Sequence, residues 1–60
     1  MNAQQALEIA KARHPHAEIV EDKFGDFDVI ANGVRVMTFD CGSLYDTTTT
    51  AEGGFEEVAA

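Results

Sequence analysis

Sixty residues with eleven acidic and four basic side chains give a net charge of −7, a hydrophobic fraction of 45% and a single cysteine. A field of that sign repels DNA, RNA and anionic lipid and attracts basic protein surfaces. One cysteine excludes an intramolecular disulfide, and no stretch approaches the ~20 apolar residues of a membrane-spanning helix.

The charge is uneven. Residues 1–16 hold one acid, Glu8, against Lys11 and Arg13, a net of +1; residues 17–60 hold ten acids against Lys23 and Arg35, a net of −8. The expectation is one small domain, residues 1–60. A chain of this length buries only about 60% of the surface its unfolded form exposes. A lone thiol, and an N-terminus without a basic segment followed by an apolar run, predict a cytoplasmic protein. Monomer or weak dimer is expected.

Asn2 is a favoured N-cap, and Gln5 three residues later completes an amide form of the capping box. Ala3, Ala6, Leu7 and Ala10 follow at helical spacing, with Ile9 beside them. Lys11 and Arg13 suit the negative end of the helix dipole. Pro15 forces His14 out of the α region. The spacing therefore predicts a helix over about 2–13.

Three strands are predicted next, over about 17–24, 27–31 and 34–40. Asn32-Gly33 between the last two is the strongest hairpin signal in the chain. A regular two-residue turn pairs Ala31 with Val34, Ile30 with Arg35, Val29 with Val36, Asp28 with Met37 and Phe27 with Thr38. Phe27, Val29, Ala31, Val34 and Val36 then face the helix. Val20 and Phe24 join them if Gly25-Asp26 is also a two-residue turn. Ile30, Met37 and Phe39 share the opposite face with Asp26, Asp28 and Arg35.

Beyond Asp40 the pattern decays. Cys41-Gly42-Ser43 reads as a turn and Thr47–Thr50 as a loop or irregular strand. Phe55–Ala60 reads as a last helical turn or a frayed tail. The fold class is thus α+β: one N-terminal helix packed on a three-stranded antiparallel sheet (αβββ), with an irregular acidic C-terminal segment.

No chemistry is legible in the motifs, and no enzyme and no cofactor is expected. His14-Pro15-His16 lacks further ligands at zinc spacing and reads as an exposed turn. Asp22, Asp26 and Asp28 do not follow the EF-hand spacing. Cys41 or Ser43 would act as a nucleophile only beside a base; the two histidines before the first strand leave such a dyad open, and no feature of the sequence supports it.

The acidity has two readings. One is solubility. The other is a surface that imitates a phosphate backbone, since alternate residues of a strand set same-face carboxylates about 6.7 Å apart. The candidate partner-binding acids are Glu18, Glu21, Asp22, Asp26, Asp28 and Asp40. The partner they imply is a basic protein surface of a nucleic-acid-binding complex, with no direct binding to nucleic acid or membrane.

Two resemblances bear on this. ALEIAKARHPHAEIVE leading into FDVIANGVRVMTFD, within residues 3–42, resembles half of a PepSY-type domain. That implies a non-catalytic binding or regulatory module, for which Ile30, Met37 and Phe39 would form an apolar contact face. In size and charge, though not in any motif, the chain resembles phage-encoded anti-CRISPR and other DNA-mimic inhibitors. That implies a protein acting in the host cytoplasm on a basic groove of a defence complex, such as a CRISPR effector.

Overall fold

The computed structural model describes residues 1–60. The helix α1 runs from Ala3 to Arg13. Asn2 caps it as the sequence requires: the Gln5 amide N–H donates to Asn2 Oδ1 at 2.9 Å, and the Asn2 N–H donates to Gln5 Oε1 at 2.9 Å. His14 is extended and ends the helix before Pro15. Ala6 and Ala10 are fully buried, and Ala3, Leu7 and Ile9 are partly buried against the core. Small side chains let the helix axis lie close to the sheet.

Five strands follow: β1 Ala17–Glu21, β2 Phe27–Ala31, β3 Val34–Asp40, β4 Ser43–Asp46 and β5 Glu56–Ala59. All pair antiparallel with their chain neighbours, in the spatial order β1-β2-β3-β4-β5. The sheet is therefore five-stranded, not three-stranded as expected. Two causes add the extra strands. Cys41 and Gly42 both have positive φ, at 51° and 82°, and make a tight turn that folds β4 back on β3. Glu56 and Glu57 have weak strand propensity, but Val58 and Ala59 pack on the core and Arg13 binds Glu56, so tertiary contacts draw the segment into a strand.

Asn32 and Gly33 have φ of 54° and 81°, the turn geometry their sequence demands. The pairing starts as expected, Ala31 with Val34 and Ile30 with Arg35, and then slips. Val29 pairs with Met37 and Asp28 with Thr38, leaving Val36 as the extra residue of a β-bulge. Every later residue of β3 consequently changes face. Met37 is 0% exposed, and Phe39 stacks on Phe27 with ring centroids 4.6 Å apart. The expected apolar contact face of Ile30, Met37 and Phe39 is corrected on this ground. Only Ile30 keeps its place, and Thr38 and Asp40 take the others.

β1 is shorter than expected. It ends at Glu21, and a loop over residues 22–26 replaces the two-residue turn. With Glu21 opposite Phe27 and Val20 opposite Asp28, Val20 lies on the face away from the helix, and Phe24 stands out in solvent. Val34 is also exposed, at the end of its strand. The core is Ala6 and Ala10 of the helix with Ala17, Phe27, Val29, Ala31, Val36, Met37 and Leu44 of the sheet.

Candidate functional site

Alternation along each strand, with the pairing just given, fixes the two faces of the sheet. One carries the core and the helix. The other, left open, presents Glu18 and Val20 of β1, Asp28 and Ile30 of β2, Arg35, Thr38 and Asp40 of β3, Ser43 and Tyr45 of β4, and Glu57 of β5. Asp26 precedes β2 on the same side, one step beyond the stacked Phe27 and Phe39, which sets it beside Asp40. Asp26 just before β2, Asp28 on it and Asp40 on the next strand thus form a carboxylate cluster. Thr38 Oγ1 donates to Asp28 Oδ1 at 2.9 Å and holds that carboxylate in one orientation. Val20, Ile30 and Tyr45 supply apolar surface between the charges, and Arg35 is the one base on this face.

The six expected acids therefore separate. Asp26, Asp28 and Asp40 come together. Glu18 shares the open face but lies at its far end, in an open pocket of about 450 Å³ lined also by Lys11, Pro15, His16, Ala17, Asn32 and Gly33. Glu21 alternates to the helix side and is exposed at the sheet edge. Asp22 leaves the strands altogether. Its Oδ1 accepts the backbone N–H of Phe24 at 2.8 Å and of Asp26 at 3.0 Å, so the carboxylate shapes the loop. Glu57, which ranks below the six acids in the sequence because its segment reads as a frayed tail or a last helical turn, lies on β5 opposite Tyr45.

The cluster marks its neighbour. The neighbouring Asp40 carboxylate above all, then slight desolvation and the charge of Asp26, push the Cys41 thiol above its ordinary pKa. That favours the neutral thiol over the nucleophilic thiolate.

A second cluster lies on the helix-side face of the sheet and is structural in character. Asp46 is 1% exposed, at the end of β4. Its Oδ1 accepts Thr48 Oγ1 at 2.6 Å and Thr48 N–H at 2.8 Å. Its Oδ2 lies 3.1 Å from His14 Nε2 and 3.3 Å from Arg13 Nη1. Burial by itself would raise the Asp46 pKa, but the hydrogen bonds from Thr48, then His14 and Arg13, outweigh it and hold the carboxyl at about 2. Arg13 Nη1 also donates to Glu56 Oε1 at 2.9 Å, and Thr49 Oγ1 donates to the same oxygen at 3.0 Å. Glu56 is lowered by these bonds, and Arg13 is raised by Glu56 and then Asp46. Sequence reasoning missed this hub. Its one local signal is Asp46 two residues before Thr48, the spacing of an Asx turn.

With His14 committed to Asp46 and His16 in the pocket beside Lys11, the histidine pair is split. No three His, Cys, Asp or Glu side chains stand close enough to share a metal ion, and no helix is long and apolar enough to cross a membrane. No protein-family description, curated protein or solved structure matches this chain.

Proposed function

We propose that this chain is a non-enzymatic protein ligand that occupies a basic, nucleic-acid-binding groove of a partner and so excludes nucleic acid from it. The observation that carries the reading is the open sheet face, where Asp28 and Asp40 lie on adjacent strands, Asp26 just precedes the first of them, and Arg35 is the sole base. Same-strand carboxylates about 6.7 Å apart, with neighbouring strands about 4.8 Å away, give a grid of negative charge. A mobile acidic tail would present charge without spacing; a sheet fixes it. The size and net charge resemble those of anti-CRISPR and other DNA-mimic inhibitors, so a CRISPR effector is the first groove to test.

The experiment has two steps. The immobilised chain captures partners from a lysate of its source organism at low salt, and a salt gradient elutes them. A mobility-shift assay then follows the purified partner on DNA or RNA as this chain is added. Displacement of nucleic acid is expected, because the same lysines and arginines cannot neutralise two ligands. Reversal of Asp26, Asp28 and Asp40 to Lys should slow association and weaken the complex, since complementary charge steers the encounter and like charge in the groove is repelled. Nucleic acid that stays bound at saturating chain refutes the reading.

A further inference from the structure

Phe24 is 79% exposed, more than any other large apolar side chain of the molecule. It is not on a floppy loop. Asp22 Oδ1 receives the Phe24 and Asp26 N–H groups, the Asp22 N–H donates to the Asp26 carbonyl at 2.8 Å, and the Gly25 N–H reaches the Asp22 carbonyl at 3.3 Å. Gly25 has φ of 85°, which lets the chain close that turn. Lys23 Nζ stands 5.3 Å from the centroid of the Phe24 ring. Val20, 52% exposed, continues the apolar surface from the open face toward this tip. Glu21 and Asp22 precede it in the chain and Asp26 follows it.

An exposed aromatic ring on a hydrogen-bonded loop, with carboxylates on either side of it in the chain, has the layout of an extruded base flanked by phosphates. We infer that Phe24 is the anchor of the partner surface, and that it enters an aromatic-lined pocket rimmed by Lys and Arg, of the kind that stacks a base in a single-stranded nucleic-acid groove. This rests on the proposed occlusion of a basic groove and narrows it from nucleic acid in general to a single strand. Charge complementarity selects the occupant. A second copy would set these acids against their own kind, and an anionic membrane repels them. The carboxylates would govern encounter, and the ring residence time.

The test is selection of peptides from a random phage-displayed library on the full chain, followed by affinity measurement on wild type, Phe24→Ala and Phe24→Leu. Thermal melting comes first. An exposed ring should be replaceable without loss of the folded state, and a collapse of melting in both variants would show that Phe24 is structural and end the inference. The expected peptides carry Trp, Tyr or Phe between Lys or Arg residues and weaken as salt rises. Phe24→Ala should lower their affinity about tenfold or more, a typical loss for one stacking contact. Phe24→Leu should recover only part of it, because Leu fills a pocket but does not stack. Basic peptides that lack aromatics and bind Phe24→Ala as well as wild type would overturn this inference and leave the groove reading standing. Peptides without basic residues, or no enrichment, would overturn both.

Discussion

His14 Nε2 and Asp46 Oδ2 meet at 3.1 Å, joining the residue that ends the helix to the residue that ends β4. Thr48 and Arg13 complete the shell around the same carboxylate, so a buried acid has every acceptor oxygen engaged.

That shell makes stability depend on pH with a definite sign. The folded-state pKa of Asp46 is about 2, below its ordinary 3.8. A depressed carboxylate contributes stability that is complete above the unfolded value and is lost as pH falls through the folded one. Asp46 should therefore contribute about 2 kcal/mol near neutral pH, fading between about pH 5 and pH 2. Asp46→Asn should melt lower than wild type at pH 7, with the gap closing toward pH 2. Parallel thermal melts across that range measure it; a constant gap would contradict the assignment.

The bulge predicts which apolar side chain matters most. Met37 is fully buried and Leu7 only partly so. Met37→Ala should cost about 2–5 kcal/mol, and Leu7→Ala less, about 1–2 kcal/mol. Denaturant titrations of the two variants should preserve that order. The reverse order would place Met37 on the open face and remove the bulge.

At the β2–β3 turn, a Cβ added to Gly33 meets nothing within 4 Å, but φ is 81°. Gly33→Val should therefore cost on the order of 1–2 kcal/mol through backbone strain alone. Asn32→Gly should be near neutral. Chemical denaturation of both variants distinguishes strain from packing, because a packing loss would appear in Asn32→Gly as well.

Asp40 is the chief cause of the raised Cys41 thiol pKa. Asp40→Asn should bring that pKa down toward its ordinary value and speed alkylation of Cys41 by iodoacetamide at mildly alkaline pH. The pH–rate profile should shift to lower pH. An unchanged profile would separate Asp40 from the thiol and weaken the carboxylate cluster.

The helix was legible because its signals are local: Asn2 and Gln5 for the start, Pro15 for the stop, alanines for the buried stripe. Asn32-Gly33 was legible for the same reason. The register beyond it was not. Nothing in Val34-Arg35-Val36 marks an extra residue, and one bulge moved Met37 and Phe39 inward and Thr38 and Asp40 outward. β5 was hidden because its cause is remote: Glu56 answers to Arg13, 43 residues away. Of the six expected acids, Glu18 and Asp28 keep the open face, Asp26 precedes β2 on that side, and the bulge turns Asp40 toward it. Asp22 was expected on a strand but lies in a turn, where its carboxylate accepts backbone N–H groups, which strand spacing does not reveal.

The strand order also has a kinetic side. Because each strand pairs only with its chain neighbour, the sheet needs no threading, and most of its contacts close short loops, a topology that favours fast folding. The exception is the connection over residues 47–55, the longest loop to be closed in the sheet. β5 can thus dock last and leave first, released when Arg13 lets go of Glu56, while β1 to β4 remain zipped. Its amides should lose protection from hydrogen exchange ahead of those in β2 and β3, making the last strand a latch on a meander that is otherwise already closed.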